Sequence, residues 1–142
     1  MKALTLWQPW AWAICRAGKD IENRSWHAPR WLIGQRFAIH AAKRRPDDAS
    51  VVAAWGMAGR PEAVDFAAEV ERAPRGAVVA TAVLTGVVTE SDSPWFVGPY
   101  GWVLEDVQEL PEAIPCRGRQ GLWNLPPGIT PAPAPTSSAS PQ

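Results

Sequence analysis

The fourteen residues from Gly76 to Thr89 are rich in Val and Thr and apolar at both alternating sets of positions. β-branched residues suit a pleated surface, and a strand apolar on both faces must be covered on both. Its length lets it bend around a closed sheet, which makes it the central strand of a small barrel. Shorter strands are predicted at Ala3–Trp7, Asp20–Trp26, Gln35–Ala41, Gly101–Glu109 and Gly121–Leu125. Pro9 opens a short helix in which Trp10, Ala13, Ile14 and Ala17 recur on one stripe, and Gly18 suits its left-handed end. Pro46-Asp47-Asp48 starts a helical stretch with Val51, Ala54, Trp55 and Ala58 on one stripe. Pro61 restarts a second with Ala63, Phe66, Ala67 and Val70. The expectation is an α+β fold: a barrel of five to six strands with flanking helices and a helical insertion over one end.

With 142 residues, close to half of them apolar and nine of them Trp, the chain supports one core without covalent staples. Cys15 and Cys116 stand far apart without a CxxC or a His-rich neighbour, so two reduced thiols are expected, with no metal site and no cofactor. The opening MKALTLWQPWAWAI lacks the apolar run and cleavage site of a secretion signal, and no stretch is apolar enough to span a membrane. A soluble, cytoplasmic, monomeric protein is expected. After Pro127 the chain is almost only Pro, Ala, Ser, Thr, Gly and Gln, so the domain is placed at 1–127 and a disordered tail at 128–142.

Net charge is zero, but up to Arg45 nine Lys and Arg face only Asp20 and Glu22, giving +7 there and −7 in the remainder. The basic part is also rich in Trp, a combination suited to holding phosphates and stacking bases. Alternation along Asp20–Trp26 puts Asp20, Glu22, Arg24 and Trp26 on one face, with Lys19 just past the helix end. Such a cluster either shifts a Lys–carboxylate proton equilibrium for acid/base work or forms a solvated salt bridge. On the next strand Phe37, Ile39 and Ala41 share the apolar face, and His40 lies opposite. His40 serves as a proton shuttle, a phosphate contact or a half-buried backbone partner. Lys43-Arg44-Arg45 is either a solvated loop or a phosphate contact. Gln8 either reads a base edge or caps the first helix. Trp10, Trp55 and Trp123 fit core stripes, and Trp7, Trp26 and Trp102 are the candidates for stacking bases.

The segment Trp7-Gln8-Pro9-Trp10, followed by Gly18-Lys19-Asp20-Ile21-Glu22-Asn23-Arg24-Ser25-Trp26, resembles the ASCH domain, named from the activating signal cointegrator proteins. The likeness continues through His40-Ala41-Ala42-Lys43, Glu90-Ser91-Asp92-Ser93-Pro94, Pro115-Cys116-Arg117-Gly118 and Leu122-Trp123. Gln-Pro-Trp and Arg-Ser-Trp look like the cointegrator branch. The resemblance implies a PUA-like β-barrel and a charged cleft that binds nucleic acid, RNA ahead of DNA, or a nucleotide-like ligand. The residue-level candidates for contacts in that cleft are Trp7, Gln8, Lys19, Arg24, Trp26, His40, Lys43, Arg44, Arg45 and Trp102. A second implication is a small hydrolase, either a ribonuclease with Lys19, Glu22 and His40 as acid/base groups or an amidohydrolase. The amidohydrolases of this family resemble one another in a Lys, Thr and Glu set, and this chain has Glu22 where that Thr would stand.

Overall fold

The structure, a computed structural model, describes residues 1–131. Six strands, β1 (Lys2–Leu6), β2 (Ile21–Arg24), β3 (Arg36–Ala41), β4 (Ala77–Val88), β5 (Tyr100–Pro115) and β6 (Leu122–Asn124), form one sheet. Their order is β2-β5-β4-β3-β1-β6, so the Val-rich strand stands inside the sheet, as its two apolar faces require. β1 and β3 are parallel, and every other pair is antiparallel. Three helices, α1 (Trp10–Arg16), α2 (Asp48–Met57) and α3 (Ala63–Arg72), complete an α+β, PUA-like half-barrel.

The sheet curls without closing. β2 and β6 are its two edges and do not pair with each other. On one side β6 stops opposite Leu4 of β1, which leaves the far end of β1 beyond its reach. A side chain spans the opening instead: Arg24 of β2 donates from Nη2 to the Thr5 carbonyl at 3.0 Å. The expectation of a closed sheet is corrected by this seam.

Inside the curl, Phe37, Ile39, Leu84, Leu104 and the fully buried Trp102 pack with Leu4, Leu6 and Ile14. The convex face of the sheet carries a smaller core built on Ala3, Ala38, Val78, Leu110 and Trp123. A third cluster joins α1 and β2 to the α2–α3 insertion through Ala54, Phe66, Val70 and Trp95. Asp47 caps α2 by accepting from the Ser50 amide at 2.7 Å, which fixes where the insertion begins.

Two boundaries depart from expectation. The strand expected at Gly101–Glu109 continues to Pro115, although Pro111 lacks an amide hydrogen for the ladder. The register explains the tolerance: Val78 faces Ile114 and Ala80 faces Glu109, so residues 110–113 bulge opposite Val79 alone and house the proline. Of the tail expected from residue 128, Ile129 packs against the convex-face core and Pro131 is buried. Residues 132–142 lie outside the described part.

Candidate functional site

Two cavities meet at the seam. The larger, about 750 Å³, is lined by Thr5, His40, Lys43, Arg75, Arg117 and Arg119 among others. The seam cavity, about 520 Å³, is lined by Trp7, Trp10, Glu22, Asn23 and Arg24. Thr5, Arg119 and Gln120 belong to both, so the two form one groove running past the end of β1. Beyond Glu22 an inner pocket of about 270 Å³ continues to Lys19, between Trp10, Met57 and Val97.

Alternation along β2 explains the charged floor. Glu22 and Arg24 point the same way, and the Arg24 Nε lies 3.1 Å from Glu22 Oε2. The other Glu22 oxygen, Oε1, is 3.4 Å from Lys19 Nζ, in a pair with side chains 10% and 2% exposed. Lys19 also donates to the Ile21 carbonyl and lies under the rings of Trp10 and Trp95. Burial pushes the Lys19 ammonium below its ordinary range, and the Glu22 carboxylate opposes that shift. Asp20 leaves this face: its carboxylate accepts from the Ser93 hydroxyl. Asn23, pointing the opposite way from Glu22, holds the 93–99 loop through the Trp95 carbonyl and the amides of Val97 and Gly98. That loop places Trp95 over Lys19.

His40 forms the wall of the larger cavity and is 1% exposed. Its Nε2 donates to the Cys116 carbonyl at 2.7 Å. That leaves Nδ1 to accept from the Thr5 hydroxyl at 3.3 Å, while Trp123 Nε1 donates to the same Thr5 oxygen at 3.0 Å. One neutral tautomer satisfies the whole chain of bonds. Burial holds the His40 pKa below its ordinary value, with the Cys116 bond opposing. The unfolded state therefore binds the proton more readily, and stability is lost as pH falls through the ordinary histidine range near 6.5. We expect the melting temperature to fall between about pH 7 and pH 5, and His40→Gln to flatten that dependence; an unchanged profile in the variant would assign the acid sensitivity elsewhere.

A match to the ASCH domain profile spans residues 4–125. The chain belongs to the ASCH domain family. No curated protein matches this ASCH chain by sequence. Among solved structures it is similar to the crystal structure of ASCH from Zymomonas mobilis, with a TM-score of 0.55 and 15% identity over 89% of this chain and 87% of that one. At that identity the likeness establishes the shared fold.

Within the ASCH fold the expected site residues separate. Trp7, Lys19, Glu22, Arg24, His40 and Lys43 reach the groove or its inner pocket. The proposed catalytic set does not gather in one place: His40 lines the larger cavity, whereas Lys19 lines the inner pocket. Gln8 is buried, with its oxygen accepting from the Trp12 amide at 2.8 Å and its nitrogen donating to the Pro74 carbonyl at 2.9 Å. Both ends of its amide are occupied in capping α1 and tying it to residue 74, which leaves nothing to read a base. Trp102 is wholly inside the barrel, and half-buried Trp26 packs edge-on against it at 4.9 Å. Arg44 lies over the Trp7 ring at 3.9 Å and pairs with Asp47, and Arg45 pairs with Glu71.

Arg75, Arg117 and Arg119 were not among the expected contacts, yet they border the larger cavity. They lie far beyond the basic first third, in the net-acidic remainder of the chain, where charge asymmetry gives no sign of them. The available signal was the Arg-Gly pair, at 75–76 and again at 117–118, where a basic side chain adjoins a residue permitting close backbone approach. Outside the groove, Cys15 is pushed up to about 12 by burial and by Glu109, so it is a thiol and not a nucleophile.

Proposed function

We propose that this ASCH domain binds nucleic acid, RNA in preference to DNA, along the groove at the barrel seam. The observation that carries the reading is Trp7, a large aromatic 55% exposed at the rim, in a protein whose other groove Trp, Trp10, is half-buried. Arg44 covers one face of the Trp7 indole, and the exposed remainder, beside a groove bordered by arginines, offers a platform for an unpaired base, with cations near its backbone. The Gln8-Pro9-Trp10 and Arg24-Ser25-Trp26 segments support, within this proposal, a relationship to the cointegrator branch.

The test is fluorescence anisotropy with a labelled single-stranded RNA across a salt series. Log affinity should fall linearly with log salt, by about 0.7 for each phosphate neutralised on a single strand. Trp7→Ala should weaken binding roughly five- to a hundredfold, the scale of about 1–3 kcal/mol for one lost base stack, without changing the melting temperature. Salt-independent affinity, or a Trp7→Ala variant that binds like the parent, would remove the proposal. The depressed proton affinity of Lys19 beside Glu22 favours a second reading, a hydrolase using the inner pocket. RNA products accumulating in the same samples, and lost in Lys19→Met, would support it.

A further inference from the structure

The larger cavity differs in charge from the seam cavity and the inner pocket, both of which are lined by Glu22. Four cations, Lys43, Arg75, Arg117 and Arg119, line it, and among the described residues no acidic one does. Four arginines elsewhere pair with carboxylates, Arg16 with Glu109, Arg36 with Asp106, Arg44 with Asp47 and Arg45 with Glu71, whereas Arg30, Arg60 and Arg72 stand singly outside any such cluster of cations. Among the described residues, none of the four lining cations forms a salt bridge. Like charges converging on a concavity repel one another, and an arrangement left without internal counter-ions is suited to an anion from outside. The backbone brings the cations together. Gly76 donates to the Ala41 carbonyl at 2.8 Å and accepts from the Cys116 amide at 3.0 Å, tying the segments that carry Lys43, Arg75 and Arg117. A Cβ on Gly118 would stand 2.6 Å from His40 Cε1 and 3.0 Å from Thr5 Oγ1, so only glycine lets the Arg117–Arg119 segment lie against the cavity wall.

We propose that this cavity is a site for phosphate groups, taking an anion with at least two negative charges such as a diphosphate or two neighbouring phosphodiesters. Thr5, Arg119 and Gln120 connect it to the seam cavity, so the nucleoside attached to those phosphates lies toward Trp7 and Arg24. That orientation rests on the nucleic-acid reading; the phosphate site itself does not.

Calorimetry with pyrophosphate at low ionic strength tests the site without any nucleoside. Binding should be saturable, and Arg75→Ala, Arg117→Ala and Arg119→Ala should each weaken it about tenfold, as expected for losing one charge-assisted contact. Arg16→Ala, at an ion pair away from the cavity, should leave it unchanged. Gly118→Ala should weaken binding while removing no charge; should that variant fail to fold, the arginine variants, altered only at exposed side chains, still decide the matter. Absence of saturable binding, or equal binding by the three arginine variants, would overturn the proposal. A parallel titration with hydroxyl-ended single-stranded RNA, adenosine and ADP identifies the source of the phosphates. RNA or ADP weakened by the arginine substitutions, with adenosine unaffected, supports the site. RNA held equally by parent and triple variant overturns it while leaving the nucleic-acid reading intact. Pyrophosphate binding without RNA binding keeps the phosphate site and removes the nucleic-acid reading.

Discussion

Replacing Trp102 by Ala should cost about 3–5 kcal/mol of stability, the range for deleting a large aromatic from a packed core. The indole is fully buried, edge-on to Trp26 at 4.9 Å and to Phe37 at 6.5 Å, and its Nε1 donates to the Trp26 carbonyl. The substitution empties the barrel centre and strips that carbonyl of its partner. Urea denaturation measures the loss, and groove affinity per folded molecule should stay near that of the parent. Trp7→Ala is expected to show the reverse pattern, with stability kept and affinity lost. A stable Trp102→Ala variant with lost affinity would mean that the indole meets the ligand and that the barrel interior is open to it.

The second large effect belongs to Glu22→Gln, expected to destabilise by about 3–5 kcal/mol because it strands a buried ammonium. Lys19 is 3% exposed, and Glu22 lies between it and Arg24. Removing the carboxylate removes what opposes desolvation, so the proton affinity of Lys19 falls further. Lys19 is then protonated more readily in the unfolded chain than in the fold, and stability rises with pH through the window between the two pKa values. The variant should therefore regain stability at alkaline pH, and Lys19→Met combined with Glu22→Gln should recover part of the loss at neutral pH. A loss below about 1 kcal/mol would instead mark the pair as a solvated surface bridge.

The strand and helix plan was legible because it rests on local pattern. The apolar run 76–89, the α1 stripe and the helix start at Pro46-Asp47-Asp48 each act within a few residues, and the structure realises each nearly where expected. Alternation also carried Glu22 and Arg24 to one face and His40 away from Phe37 and Ile39. What was illegible depended on distant partners. Asp20 has the right parity for the charged face, but Ser93, seventy-three positions on, draws its carboxylate aside. Trp102 and Trp7 are equivalent as residue types, and only the curl of the sheet encloses one and exposes the other. The strand extension past Pro111 required a bulge whose size is set by β4, so no window around the proline announces it. The four cations of the larger cavity come from three separate segments and meet only after β3, β4 and β5 pair.

The unclosed seam also bears on how the protein behaves in company. An open sheet offers two rows of unpaired backbone groups to any neighbouring chain, and long flat edges of this sort template aggregation. Here the edges are short, four residues in β2 and three in β6. The stretch of β1 that β6 leaves uncovered is bridged by the Arg24 guanidinium, held by Glu22, at a position where an incoming strand would need an apolar, unoccupied edge. The charged residues that floor the groove therefore also occupy the place where a further strand would add, so a sequence change that makes the groove more apolar opens that edge along with the site.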